Sequence, residues 1–308
     1  MNKIFVALLT IVVLYSPVRA EEELKVRLLG TGSPPPVMNR FGPSILVEAG
    51  KEELLFDCGR GCLQRLEQLK IATKEVNNLF LTHLHSDHVV GIPDFWLTGW
   101  LNSRRELPLR VWGPMGTKEM MHHLDKAYEF DIRIRLYDDR PPPQGVVILA
   151  EDIKEGMVYE RNGVKVTAFN VDHRPIEPAF GYRIDYAGRS VVLSGDTRFS
   201  ENLIRFAQGT DLLVHEVIAA DLQRARFKDD PARAEGVIAH HTTLEQAGEI
   251  FTRVKPKLAV YSHIVPFYAT ANDLIAPTRK TYSGPLEAGE DLMTIEVGEK
   301  VQVRRFTP

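Results

Sequence analysis

The stretch "LFLTHLHSDHVVGIPDF", residues 79–95, places three histidines and one aspartate within six positions, directly after an apolar run. Imidazole nitrogen and carboxylate oxygen are both good zinc donors. Alternate residues on an extended loop point in opposite directions. A turning loop, however, can bring His83 and His85 to one ion and leave Asp87 and His88 for a second. The H-x-H-x-D-H order is far denser in donors than an ordinary polar surface loop.

Working outward from this loop, the other unusual residues also follow apolar runs. Asp57 follows Leu54-Leu55-Phe56, His173 follows Val164–Val171, and Asp196 follows Val191-Val192-Leu193. His215 and Glu216 follow Leu212-Leu213-Val214, and His263 follows Val260-Tyr261. Loops at the ends of rigid strands are where scaffolds carry chemistry.

The strand expectations are Lys25–Leu29, Ser44–Glu48, Glu53–Phe56, Leu79–Leu81, Leu109–Trp112, Ile132–Tyr137 and Val164–Phe169. Phe180–Ile184, Val191–Leu193, Asp211–Val214, Leu258–Tyr261, Leu292–Val297 and Lys300–Arg305 complete them. Helices are predicted at Gly61–Lys70, Asp94–Ser103, Gly116–Phe130, Glu201–Gln208 and Thr243–Val254. This alternation, with no long linker, predicts a single layered α/β domain. The punctuated loop Arg140-Pro141-Pro142-Pro143-Gln144-Gly145 is the candidate join between two halves.

At 308 residues, 44% of them hydrophobic, the chain can bury a sizeable core. Residues 1–20 combine Lys3, an apolar stretch from Ile4 to Tyr15 and a Val18-Arg19-Ala20 ending. This predicts a cleaved secretory signal peptide, too short for a comfortable membrane span, and a periplasmic or secreted product over 21–308. No stable span is expected after cleavage. Removing Lys3 and Arg19 leaves 36 basic residues against 41 acidic, a net charge of −5. A nucleic-acid binder usually carries a basic surplus, so nucleic acid is disfavoured. Cys58 and Cys62 are expected as free, half-buried thiols, with a bridge left open.

Eight segments together resemble the metallo-β-lactamase superfamily, in its ribonuclease Z-like branch. They are "LLGTGSPPP" (28–36), "LLFDCGRG" (54–61), "THLHSDHVVGIP" (82–93) and "VDHRPIEPAFGYRI" (171–184), then "LSGDTR" (193–198), "DLLVHEV" (211–217), "HHTTLEQAGEI" (240–250) and "YSHI" (261–264). They occur in the family's order over nearly the whole mature chain. The resemblance implies an αββα four-layer sandwich. It implies one metal on His83, His85 and His173, a second on Asp87, His88 and His263, and Asp196 bridging both. Two Zn²⁺ are expected, although the same donor types accept Mn²⁺ or Fe²⁺. Asp57 would orient a ligand imidazole.

The expected chemistry is hydrolysis by a bridging hydroxide held by Asp87, with His241 as proton donor and Glu216 on its other ring nitrogen. His240 is adjacent and leaves the register open; the His-Thr-Thr-x-x-Gln-Ala pattern favours His241. His122, His123 and the three tryptophans are expected outside the site, on a helix face and in the core.

Only 22 residues separate His173 from Asp196, leaving no room for the tRNA-gripping arm of bacterial ribonuclease Z. The segments "GIPDFWLTGW" and "VWGPMGTKEMMHHLDKAYEFDI" resemble exported arylsulfatase-like members. The expected substrate is therefore a small anionic ester, an aryl sulfate or a phosphodiester, with RNA or a lactone as alternatives. A non-enzymatic metal-binding protein is the remaining reading, and relatives allow a homodimer.

Overall fold

The computed structural model describes residues 23–307. The signal-peptide expectation at 1–20 lies outside them. Among the described residues, no helix is long and apolar enough to cross a membrane.

The first half of the chain builds strands β1 (Leu24–Gly30), β2 (Ser44–Ala49), β3 (Glu52–Phe56), β4 (Asn78–Phe80), β5 (Leu109–Gly113) and β6 (Ile148–Asp152). The second builds β7 (Gly156–Arg161), β8 (Val164–His173), β9 (Ile176–Tyr186), β10 (Arg189–Leu193), β11 (Leu212–Ile218), β12 (Leu258–Val265) and β13 (Leu286–Ala288). Then β14 (Thr294–Val297) and β15 (Val301–Arg304) return to the first sheet. The sheet orders are β15-β14-β1-β2-β3-β4-β5-β6 and β13-β12-β11-β10-β9-β8-β7. In the first, β3 to β6 run parallel; in the second, β10 to β13 do.

The two sheets face each other across an apolar layer that includes Val26, Phe56, Phe80, Val166, Tyr182 and Val214. Each outer face carries helices. α1 (Cys62–Gln68), α2 (Ser86–Val89), α3 (Ile92–Leu101), α4 (Thr117–Ala127) and α5 (Glu129–Asp138) come from the first half. α6 (Glu201–Phe206), α7 (Ala220–Arg226), α8 (Pro231–Ile238), α9 (Leu244–Val254) and α10 (Ala271–Thr278) come from the second. In α9 the buried Leu244, Ala247, Ile250, Phe251 and Val254 follow helical spacing, and a Thr243–Gln246 capping box fixes its start. The outcome is the predicted four-layer αββα sandwich, in one domain.

The structure corrects several local expectations. Ile132–Tyr137 lies in helix α5, not a strand. Its Ile-Arg-Ile-Arg alternation imitates period two, but the helix buries none of its residues, so no buried face tests that pattern. The predicted Gly116–Phe130 helix breaks at Tyr128 into α4 and α5. The Pro-rich loop feeds β6 through a 3₁₀ turn at Pro143–Val146, and the crossing between sheets comes later, between β6 and β7. Cys58 and Cys62 are free, but fully buried and not half-buried. Trp96, Trp100 and Trp112 are core residues, and His122 and His123 are exposed on α4.

Candidate metal centre

Strand ends deliver the donors. β3 ends one residue before Asp57, β4 runs into Thr82 and His83, and β8 ends on His173. β10 ends three residues before Asp196, while β11 carries Glu216 and β12 carries His263. Asp87 and His88 occupy the first turn of α2, whose preceding residue His85 is extended. Two glycines permit this crowding. A Cβ on Gly59 would lie 2.4 Å from the Asp87 carbonyl oxygen. Gly195 has φ +59, and a Cβ there would lie 2.4 Å from the Phe180 carbonyl oxygen.

The predicted donors converge in two groups. His83, His85, His173 and Asp196 place one ligand atom each within 4.8 Å of one another, and so do Asp87, His88 and His263. Asp196 Oδ2 stands between the groups, 3.4 Å from His88 Nε2, 3.3 Å from His263 Nε2 and 3.8 Å from His173 Nε2.

Three imidazoles have their outer nitrogen occupied. His83 Nδ1 donates to Thr82 Oγ1 (3.0 Å), His88 Nδ1 to Asp57 Oδ2 (2.7 Å) and His173 Nδ1 to the His240 carbonyl (2.8 Å). These tautomers follow from the acceptors, and each leaves the Nε2 lone pair facing the cluster. Asp57 is itself held by the Thr82 N–H and hydroxyl, both at 2.8 Å.

The donor set fits a divalent cation. Among the described residues, His88 Nε2 and Asp196 Oδ1 are buried without a hydrogen-bond partner, which is costly unless something else satisfies them. His83 Nε2 and His85 Nδ1 lie 2.9 Å apart, two ring nitrogens turned on one point. Burial pushes His83 well below its usual pKa and His173 down to about 4, so both are neutral donors at pH 7, as a metal would require. Burial opposes protonation of His88 too, yet without a cation Asp196 and Asp57 hold it well above its usual value; a metal at Nε2 would take that proton's place and leave the Nδ1–H on Asp57. Burial would raise Asp87, but the hydrogen bond from His263 and the charges of His88 and His263 together outweigh it and bring it to about 2. Three carboxylates thus surround a small buried volume, a charge that a cation balances.

His241 is buried beside the second group, and its Nδ1 lies 3.0 Å from Glu216 Oε2. Glu216 Oε1 accepts the Thr242 N–H at 2.7 Å. Burial raises Glu216 to about 8 and lowers His241 to about 4, so the pair's proton resides on the carboxyl at pH 7. His240 faces the site differently, giving its carbonyl to His173. His215 is wholly buried against Phe251. Sequence reasoning missed Thr82 and Thr242, which hold Asp57 and Glu216 in place from 25 and 26 positions away.

A family model described as the anti-Pycsar protein Apyc1 matches residues 24–229. The ribonuclease Z of Mycolicibacterium gilvum (strain PYR-GCK) is 39% identical over 282 residues, covering 89% of this chain and 96% of that protein. The chain belongs to the ribonuclease Z-like metallo-β-lactamase family and to the family that the Apyc1 model defines. The ribonuclease Z of Mycobacterium avium (strain 104) is 37% identical over 284 residues, 89% and 98% of the two chains.

Among solved structures, the metallo-β-lactamase fold protein YhfI from Bacillus subtilis superposes at TM-score 0.67 with 19% identity, over 89% of this chain and 99% of that one. Human tRNase Z, short form, does so at 0.64 with 22%, over the same shares. Both show the fold.

These relatives correct the partner expectation. A small-molecule ester as the partner, with nucleic acid disfavoured, does not stand, because the curated relatives are ribonucleases. The missing arm, the expected export and the acidic net charge carried that expectation. Yet a ribonuclease Z that aligns over 96% of its length leaves no room for a long arm either. This ribonuclease Z-like chain is a metal-dependent hydrolase. Its acidic net charge misled for a physical reason: total charge says little about the charge at one cleft.

Proposed function

We propose that the protein hydrolyses phosphodiester bonds in RNA, as a ribonuclease Z-type phosphodiesterase working with two zinc ions. The observation that carries this reading is the position of Asp196 Oδ2, between 3.3 and 3.9 Å from four imidazole Nε2 atoms of both donor groups. A carboxylate so placed can serve two metals at once, as two-metal phosphoesterases require. The near end-to-end match to ribonuclease Z relatives supports RNA as the substrate; the aryl sulfate expectation has no such support.

His83, His85 and His173 would hold one ion, Asp87, His88 and His263 the other, with Asp196 shared. Bound metal supplies Lewis-acid charge for the phosphoryl oxygens and acidifies water towards neutrality. Asp87 Oδ1 accepts no hydrogen bond among the described residues and is free to orient the attacking water. His241 Nε2 is the nitrogen left for the leaving oxygen, since Nδ1 faces Glu216. A proton passed on from Nε2 is replaced at Nδ1 from the Glu216 carboxyl.

The test offers metal-replete protein an end-labelled precursor tRNA, bis-p-nitrophenyl phosphate and p-nitrophenyl sulfate. Cleavage of the first two is expected, and is lost on chelation and in Asp196→Ala. Turnover of the sulfate ester with RNA left intact would sink the reading.

A further inference from the structure

Above the metal centre, α7 and α8 form one wall of a cleft of about 220 Å³ that reaches Asp87, Asp196, His241 and His263 at its floor. Gln223, Arg226, Phe227 and Arg233 line that wall. Arg226 and Arg233 are exposed, and neither guanidinium pairs with a carboxylate among the described residues. Nearby Arg224 behaves in the opposite way, tied to Glu235 at 2.7 Å. Both free guanidiniums instead lie over the Phe227 ring, Arg226 at 5.0 Å and Arg233 at 4.5 Å from its centroid. An aromatic face positions a cation without neutralising it. Gln223 adds an independent sign of a ligand: it is 2% exposed, and its Oε1 is buried with no hydrogen-bond partner. A buried acceptor left unsatisfied at a cleft wall is available to a donor group of a bound molecule.

We propose that Arg226 and Arg233, steadied by Phe227, form the subsite for the phosphate next to the scissile one, with Gln223 accepting a hydrogen bond from the adjoining nucleotide. The proposal rests on the RNA reading above. A guanidinium matches a phosphate with two parallel N–H donors, and two unpaired guanidiniums suit a polyanionic chain better than a single ester. The wall therefore selects substrates carrying a second phosphate. It also gives an acidic chain a local basic surface where the substrate enters.

The experiment compares an oligoribonucleotide with bis-p-nitrophenyl phosphate, which has no second phosphate, in wild type, R226Q/R233Q and R226K/R233K. The glutamine pair is expected to lower kcat/KM for the oligoribonucleotide at least tenfold more than for the small diester, with the loss in KM. Losing the contacts to that one phosphate should also flatten the salt dependence of log KM by about 0.7 for a single strand. The lysine pair should retain that salt slope, and Phe227→Leu should raise KM with the charges intact. Equal effects on both substrates, or unchanged KM and salt slope for the oligoribonucleotide, overturn the subsite. Failure of the wild type to cut any RNA while it cuts the diester is a different result, and overturns the RNA reading on which the subsite rests.

Discussion

His88 Nδ1 lies 2.7 Å from Asp57 Oδ2, and this contact aims His88 Nε2 at Asp196. Asp57 is buried, and its backbone sits in the left-handed region at φ +56. The Phe80 carbonyl accepts its N–H at 2.8 Å, which holds that conformation. Asp57→Ala should weaken metal binding by 10- to 100-fold, because His88 loses its orienting carboxylate. Competition with a zinc-chelating dye measures this. Unchanged affinity would mean that the Nε2 donors are set by packing alone.

Glu216 and His241 make a separable prediction. Glu216→Gln keeps an acceptor for the Thr242 N–H but removes the proton store behind His241. Both it and His241→Ala should lower kcat by about 10²–10⁴ with metal content retained, the range of general acid catalysis. The replacement should also flatten one limb of the kcat pH profile. Metal loss accompanying the drop in rate would move His241 from proton transfer to ligation.

Metal-free protein should lose stability as pH falls from about 6.5 to 4. Burial first of all lowers His83, His85, His173, His215, His240 and His241, three of them to about 4. The unfolded chain binds those protons below 6.5 and the folded chain does not, so folding weakens as pH drops. His88 and His263, with raised values, act only above 6.5. Glu53 and Glu216, both raised to about 8, work in the opposite direction but are outnumbered. Urea midpoints of chelated protein at pH 7, 5.5 and 4.5 measure the trend, and a flat series would contradict it.

Gly195→Ala should destabilise the fold by about 1–3 kcal/mol, since a left-handed backbone and a contact with the Phe180 carbonyl combine there. Because Gly195 precedes Asp196, metal affinity should fall with it. Thermal unfolding with and without zinc separates the two effects. Gly188→Ala has φ +73 but open space around it, so it should show the backbone cost alone.

Much of the site is legible before folding, because its donors sit at or just beyond the ends of apolar runs. His173 ends β8, and Asp196 follows β10 by three residues. The layered α/β domain is legible in the alternation of strand and helix runs, whereas the αββα order was implied by the resemblance of eight segments to the metallo-β-lactamase superfamily. The misread segment Ile132–Tyr137 failed because it is exposed, where local alternation has no buried face to answer to. The substrate was misread because a missing arm and a net charge are global facts, whereas recognition is local.

By itself the sequence marked the candidate donors and the apolar runs they follow, since donor type and hydrophobic periodicity are local properties. The tertiary structure decided how they meet. It set Asp196 Oδ2 between two donor groups, pinned three imidazole tautomers through Thr82, Asp57 and the His240 carbonyl, and left Arg226 and Arg233 over Phe227 with no carboxylate partner among the described residues. Most of those relationships join residues far apart in the chain. They exist only where two sheets pack together and bring their strand ends to a single edge.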